Sequence, residues 1–206
     1  MALAGERVLP VLAPLEPLFP ARGLRRGSVV TVGGSTSLAL ALLAAASGQG
    51  SWCAAVGFPS LGLAAAAELG VALDRFPLVP SPRRWAWVVA ALADGLDVVL
   101  ARPPSFVKAA DARRLTARVR ERGAVLVVAG GGWPEAAEVR LDVVSSAWEG
   151  IGPGHGRLLG RRVEVVAGGR GAAARERRVQ LWLPHPEGGL KEVIVERRPH
   201  ARSVVS

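Results

Sequence analysis

The stretch that most constrains how this chain folds is residues 28–43, where two apolar runs flank a short segment of glycines and hydroxyl side chains. Residues 28–32 have the length and β-branched content of a buried strand. Because hydroxyl side chains are typical helix N-caps, the second apolar run predicts a helix over 36–47. A strand, a tight turn and a helix form the first half of a βαβ unit, which predicts an α/β fold. The residues of the turn are Gly33, Gly34, Ser35, Thr36 and Ser37.

The rest of the chain repeats this alternation. Further strands are predicted at 52–56, 97–100 and 124–128, further helices at 60–69, 83–93 and 108–122, and then three β segments near 139–147, 161–167 and 178–183. This order predicts a mostly parallel twisted sheet that is flanked by helices and extended by C-terminal antiparallel strands. We divide the chain into a Pro-rich N-terminal arm (1–27), a core domain (28–190) and a basic C-terminal tail (191–206).

Composition narrows the classes of function. Half of the 206 residues are apolar, which is enough for one sizeable core. The net charge of +9 favours a polyanion or an acidic protein as partner. A GC-rich genome would also raise the arginine count, and 24 of the 26 basic residues are arginine. The surplus is uneven, since residues 1–150 carry a net +3 and residues 151–206 a net +6.

The single cysteine and the short apolar runs favour a cytoplasmic protein. Cys53 lies in a predicted strand, so we expect a buried structural thiol and no internal disulfide. The longest apolar run, 38–46, falls far short of the roughly 20 residues that span a bilayer. No signal peptide is evident. The three histidines have no neighbouring ligands at metal-binding spacing, so we expect no metal site.

Basic and aromatic side chains outside the predicted core are candidates for a partner or DNA surface. The arginines of the amphipathic helix 108–122 form either a solvated face or such a surface. Two tryptophans at loop edges serve either packing or partner binding, whereas Trp52 and Trp182 lie in predicted strands and are expected in the core. The arginines of the tail could dock an acidic partner segment. The candidates are Arg113, Arg114, Arg118, Trp133, Trp148, Arg197, Arg198 and Arg202.

The glycine turn occupies the place of an ATPase phosphate loop. That loop requires G-x-x-x-x-G-K-[ST], in which backbone N–H groups surround the phosphates, a lysine contacts them and a hydroxyl binds Mg²⁺. Aligned from Gly33, the chain has Leu38, Ala39 and Leu40 where glycine, lysine and Ser/Thr would stand. An alignment on Thr36 also lacks the lysine. We therefore interpret the turn as a vestigial phosphate loop and expect no cofactor.

Five segments resemble the RecA core, in the same order, and cover roughly residues 21–190. They lie at 23–34, 67–76, 92–101, 139–143 and 162–166. The resemblance implies a RecA-like fold. It also aligns Arg102 with the Walker B aspartate, residues 57–59 with the water-activating glutamate, and residues 129–130 with the glutamine that senses the γ-phosphate. Because phosphoryl transfer depends on such positioned charges, the resemblance implies a degenerate pseudo-ATPase rather than an enzyme.

A RecA-like core without its ATPase residues resembles ImuA-type proteins, in particular the short actinobacterial ImuA-prime form. This resemblance implies a non-catalytic adaptor in SOS mutagenesis, the translesion synthesis induced by DNA damage. The implied partners are an ImuB-like inactive Y-family polymerase and an error-prone C-family polymerase, with weak non-specific DNA contact and association with the nucleoid. Two alternatives stay open: a degenerate RecA-type DNA-binding ATPase, and a cell-division inhibitor of the SulA type.

Overall fold

The computed structural model describes residues 8–152 and 155–193. Within these ranges, four α-helices alternate with strands in the first two thirds of the chain. The strands are β1 (Val8–Pro10), β2 (Gly23–Arg25), β3 (Val29–Gly33), β4 (Cys53–Val56), β5 (Leu78–Val79), β6 (Val98–Ala101), β7 (Val125–Ala129), β8 (Val139–Gly152), β9 (His155–Gly169), β10 (Arg177–Trp182) and β11 (Lys191–Glu192). The helices are α1 (Thr36–Gly48), α2 (Leu63–Glu68), α3 (Trp85–Ala93) and α4 (Ala109–Arg122).

The strands β3 to β11 form one sheet, in the order β11-β10-β9-β8-β3-β7-β6-β4-β5. The six strands from β8 to β5 pair in parallel, and β9, β10 and β11 extend the sheet in antiparallel fashion. The predicted α/β class, with a large mostly parallel sheet flanked by helices, is confirmed. Because helices cover both faces, the central strands are continuous apolar runs rather than alternating ones.

Each face of the sheet has its own apolar core. Helices α1 and α2 pack on one face, and α3 and α4 pack on the other. Successive residues of the central strands alternate between the two cores, as the period of two requires. Val30 and Val127, for example, face α1, whereas Val29 and Val128 face α3 and α4. The centre of the sheet is therefore fully buried, and polar chemistry is confined to the strand ends.

The N-terminal segment packs into the first of these cores. Strands β1 and β2 form a two-stranded antiparallel sheet around a short 3-10 helix, Ala13–Leu18. Proline in its first turn and again at Pro17 limits this helix to six residues. Leu15 and Leu18 are fully buried in the same core as α1. Residues 8–25 thus contribute directly to the core of the domain.

Strands β8 and β9 form a hairpin longer than the segments predicted at 139–147 and 161–167. It runs through the glycine-rich stretch between them, with register shifts between Val143 and Ser145 and between Glu149 and Ile151. Trp148 of β8 pairs in register with Arg161 of β9. Strand β8 of the hairpin pairs with β3 as far as Gly33. The hairpin therefore lies beside the end of β3 and forms one wall of the candidate site.

The predicted core position of Trp52 is wrong. Strand β4 begins only at Cys53, so Trp52 precedes the strand, and the residue is 48% exposed. Its backbone N–H instead donates to Asp97 at 3.0 Å. Trp182 lies in β10 and is partly buried, with the Arg162 guanidinium 5.2 Å from its ring centre.

Candidate functional site

The candidate site lies where β3 ends and α1 begins, at the carboxyl edge of the parallel strands. Ligands bind at this edge in open α/β sheets. Ser35 has an extended backbone, and its Oγ accepts the backbone N–H of Leu38 at 3.1 Å, so the predicted N-cap of α1 is confirmed. The helix N-terminus carries partial positive charge, which suits an anion. The chemistry of the site therefore depends on what else surrounds this turn.

The neighbouring strand leaves little room for a side chain at Gly33, and the backbone conformation favours glycine at Gly34. A Cβ atom on Gly33 would overlap Oδ1 of Asp142, which lies on β8. Gly34 has a φ of +74°, and a Cβ there would lie 3.5 Å from Val143. In a phosphate loop, bare glycine backbone lets a ligand approach. In this chain β8 lies against the Cβ side of both glycines, while Gly33 is partly buried and Gly34 is exposed.

Two arginines contact the hydroxyl groups of the turn. The Arg102 guanidinium, just after β6, donates to Thr36 Oγ1 at 2.7 Å and lies 4.5 Å from the ring centre of Phe58. The Arg161 guanidinium, on β9, donates to Ser35 Oγ at 3.1 Å and to the Leu183 carbonyl at 3.0 Å. Burial lowers the pKa of Arg161. Both arginines thus place fixed positive charge at the start of α1.

Arg161 is a site residue that the sequence did not reveal. It lies 126 positions from Ser35, and no motif marks it. Its guanidinium also lies 5.6 Å from the ring centre of Trp148, its register partner, and Trp148 is 48% exposed. The hairpin tryptophan predicted for a partner surface is therefore adjacent to the vestigial loop.

A carboxylate pair suited to Mg²⁺ is not assembled at the turn in the described residues. Asp142 is adjacent to Gly33 and pairs with Arg140 at 3.1 Å on its own strand. At the end of β4, Gly57 has a φ of +84°, and a Cβ there would overlap the Arg102 carbonyl oxygen. A side chain such as glutamate does not fit at Gly57 without backbone movement. Across residues 8–152 and 155–193, no cluster of three His, Cys, Asp or Glu has metal-binding geometry.

A small cavity of about 290 Å³ adjoins the turn. Thr36, Ser37, Phe58, Pro59 and Arg102 are among the residues that line it. This volume is at the lower end of small-molecule sites, which span roughly 300–1,000 Å³. Thr36, Ser37 and Arg102 are therefore brought together around one small cavity, whereas Gly33, Gly34, Ser35 and Arg161 are not among its lining residues.

The arginines predicted on α4 are paired with the protein's own carboxylates. Arg113 lies 3.6 Å from Glu135, Arg114 lies 2.8 Å from Asp111, and Arg118 lies 2.5 Å from Asp94. Hydrogen bonding from Arg118 lowers the pKa of Asp94, and the same contact raises the pKa of Arg118. These three arginines therefore do not present a row of uncompensated charge to a polyanion.

The other predicted contact residues have different surroundings. Trp133 is partly buried against the core beneath α3 and α4, and its indole N–H has no partner among the described residues. Packing is the role that this position favours. Arg197, Arg198 and Arg202 lie outside the described residues. In the described part of the chain, no helix is long and apolar enough to cross a membrane.

Comparison with known proteins identifies the family. Residues 17–135, more than half of the chain, match the model of the MT3502 N-terminal domain. An uncharacterized protein of Mycobacterium tuberculosis, Rv3395c, is 37% identical over 180 residues, which cover 82% of this chain and 88% of that protein. The matched region includes the vestigial loop, Arg102 and α4. The chain therefore belongs to the family of the MT3502 N-terminal domain.

Proposed function

We propose that this protein is a non-catalytic, RecA-like accessory protein of the ImuA-prime type, acting in translesion synthesis induced by DNA damage. Its partners would be an ImuB-like inactive Y-family polymerase and an error-prone C-family polymerase. This role places it in the cytoplasm, at the nucleoid after damage. The observation that carries the proposal is that Arg102 and Arg161 donate to the hydroxyls of Thr36 and Ser35 in the vestigial phosphate loop.

The positions of the RecA-resembling segments support the RecA-like part of the proposal. Residues 23–34 contain β2, β3 and the two glycines of the turn, and residues 92–101 end in β6. Residues 139–143 begin β8, and residues 162–166 lie in β9. Three of these segments meet around the turn, since β3 pairs with β8 and Arg102 follows β6. The pieces of the resemblance therefore surround one place in the fold.

The contacts around the turn support the absence of ATP hydrolysis. Phosphoryl transfer needs a cation on the β and γ oxygens, a carboxylate for Mg²⁺ and a group that orients the attacking water. Here Arg102 stands at the aligned Walker B position and Gly57 follows β4 in a conformation that excludes a larger side chain. On the Cβ side of the turn, Asp142 of β8 lies against Gly33. A helix start with two arginines attracts anions, but lacks the groups for hydrolysis.

Any contact with DNA is proposed to be weak, sensitive to salt and indifferent to sequence. The three α4 arginines are paired with Glu135, Asp111 and Asp94, so few charges of this helix remain for phosphate neutralisation. Binding through phosphates alone weakens steeply as salt rises. The adaptor role is therefore assigned to contacts with proteins.

Two measurements on the purified chain test the proposal. Titration calorimetry with ATP and Mg²⁺ should detect no site tighter than about 10 μM, which would require about 7 kcal/mol of binding free energy. Co-expression with the ImuB-like and C-family polymerase partners should give a complex that co-elutes in gel filtration. Ser35→Ala and Thr36→Ala variants should co-elute equally well, because the vestigial loop has no catalytic role.

Two outcomes would contradict the proposed adaptor function. A nucleotide site below 10 μM whose hydrolysis is lost in Thr36→Ala would support the degenerate ATPase. Co-elution with the cell-division GTPase, and not with the polymerase partners, would support the division inhibitor.

A further inference from the structure

A surface groove of about 830 Å³ lies between α3 and α4, on the face of the sheet opposite α1. We call it the α3–α4 groove. Its floor contains small and apolar side chains, among them Ala86, Ala90 and Leu115. No residue of the vestigial phosphate loop lines it. The groove is therefore separate from the site at the end of β3.

Two large aromatic side chains are exposed at this groove. Trp87 is 63% exposed and Phe106 is 74% exposed. Trp85, two residues before Trp87 on α3, is 8% exposed, because the two side chains leave the helix in different directions. Aromatic side chains of this size dominate protein–protein interfaces when they are buried by a partner. These two rings are the anchors that the groove offers.

Positive charge is concentrated at one end of the groove. Helices α3 and α4 connect strands that run in parallel, so both helices begin at the same edge of the sheet. Arg83 and Arg84 precede α3 directly, and Lys108 precedes α4. The helix starts add partial positive charge there. Arg84 also lies 5.9 Å from the ring centre of Trp87, so charge and aromatic surface are adjacent.

At the other end of the groove, the arginine charges are paired with a carboxylate. Arg118 and Arg122 both contact Asp94 there. At the basic end, no described carboxylate forms an ion pair with Arg83, Arg84 or Lys108. The groove therefore has an apolar floor, two exposed rings and a cationic end.

We propose that the α3–α4 groove docks an acidic amphipathic helix of a protein partner. The apolar face of that helix lies on the alanine and leucine floor between the two aromatic rings, in the manner of helix-in-groove recognition. Its carboxylates lie over Arg83, Arg84 and Lys108. The inference rests on the adaptor role proposed above and supplies the chemistry of the partner's docking segment.

A single-stranded nucleic acid fits the groove less well. Its recognition uses a continuous basic track and successive aromatic platforms. Here the basic groups are grouped at one end, and the lining includes the carboxylates of Asp111 and Glu121. Asp111 is paired with Arg114 and Glu121 with Arg118, so away from the basic end the lining charges are compensated and offer phosphates no continuous track. The distribution of charge thus favours a short acidic protein segment.

The test uses the full chain and a peptide array. The array holds 16-residue helix-forming peptides with apolar residues at i, i+4 and i+7, each in acidic, neutral and basic versions. Binding should concentrate in the acidic set. The strongest acidic peptide, labelled with fluorescein, should bind at least tenfold more tightly than its basic version by anisotropy, and its affinity should fall as salt rises.

Two variants and two matched controls locate the binding. The double variant Trp87→Ala/Phe106→Ala and the triple variant Arg83→Glu/Arg84→Glu/Lys108→Glu should each weaken binding at least tenfold. Trp52→Ala removes an exposed tryptophan elsewhere, and Arg120→Glu/Arg157→Glu/Arg175→Glu makes the same charge change on other exposed positions. Both controls should stay within about twofold, and thermal melts should show that every variant is folded.

The proposal is overturned if no acidic peptide binds, if basic peptides bind equally well, or if the controls weaken binding as much as the groove variants. Binding of labelled oligo-dT that depends on Arg83, Arg84 and Lys108 and exceeds peptide binding would assign the groove to nucleic acid instead. Because this assay contains no polymerase, its failure is separate from a failure of co-elution with the polymerase partners.

Discussion

Asp97 is predicted to be a stabilising junction at the amino edge of the parallel strands. Its Oδ1 accepts a hydrogen bond from Arg26 Nη2 at 2.7 Å, and its Oδ2 accepts the backbone N–H of Trp52 at 3.0 Å. Arg26 also donates to the Gly123 carbonyl at 3.4 Å. The carboxylate therefore links the start of β4 to the segment before β3.

The size of the effect follows from these contacts. A hydrogen bond to a charged group contributes about 1.5–3 kcal/mol, and solvent screening reduces a partly exposed ion pair to about 1 kcal/mol. The side chains of Arg26 and Asp97 are 33% and 28% exposed, so the reduced value applies to their pair. Adding the unpaired Trp52 N–H, we expect Asp97→Ala to lower the free energy of unfolding by about 2–3 kcal/mol. Asp97→Asn keeps an acceptor for that N–H and should cost about half as much.

Urea denaturation of the full chain measures the free energy of unfolding, and thermal denaturation measures the melting temperature. The melting temperature of Asp97→Ala should fall by about 4–12 °C, since 1 kcal/mol corresponds to about 2–4 °C in a domain of this size. A double-mutant cycle with Arg26→Ala should give a coupling of about 1 kcal/mol. Asp74→Ala is the control, because the side chain of Asp74 is 70% exposed and its loss should change stability by less than about 0.5 kcal/mol. Equal stability of the Asp97 and Asp74 variants, or zero coupling with Arg26, would refute the reasoning.

Three further predictions concern the thiol, one ion pair and the tail. Burial, with a smaller effect of Asp97, raises the pKa of Cys53 to about 12, so Ellman's reagent should not react with the folded protein at pH 8 but should react in urea; rapid reaction without urea would contradict this. Hydrogen bonding from Arg118 lowers the pKa of Asp94, so this contact stabilises the fold above the unfolded pKa and is lost as pH falls through the folded pKa. The difference in melting temperature between wild type and Arg118→Ala should therefore shrink between about pH 6 and about pH 2.5, and a constant difference would exclude the mechanism. Since β11 pairs with β10, deletion of residues 194–206 rather than 191–206 tests the tail, and it should weaken partner binding at low salt without a change in melting temperature. Unchanged binding would place the interface on the core.

Local features of the chain could be predicted well. The N-cap Ser35, the C-terminal end of α4 at Gly123 and the central strands follow from capping chemistry and apolar runs that involve neighbouring residues. The boundaries of β8 and β9 were less accessible, because their pairing continues through glycines that have no strand preference. Trp52 shows the same limit, since a one-residue change in where β4 begins moves its ring from the core to the surface.

Some residues of the candidate site could be predicted from the sequence, but most of their contacts could not. The glycines and hydroxyls of the turn are evident because they are adjacent in the sequence, whereas Arg102 was singled out only by the RecA resemblance, which aligns it with an aspartate. That Asp142 and Val143 lie against the glycines, and that Arg161 contacts Ser35, depends on strands more than 100 residues away. The pairing of the α4 arginines with Asp94 and Glu135 was likewise invisible, because helix periodicity shows which side chains are exposed and not what lies opposite them.

The sequence by itself determined the α/β class, the order of the elements and the absence of a lysine at motif spacing after the glycine turn, since these depend on apolar periodicity and on residue identity at adjacent positions. Only the tertiary structure decided which groups meet. It placed two arginines at the start of α1, compensated the charge of α4, and left Trp87 and Phe106 exposed beside Arg83, Arg84 and Lys108. The physical reason is that contact between side chains depends on the packing of helices on the sheet and on strand register, which bring together residues that no local pattern relates.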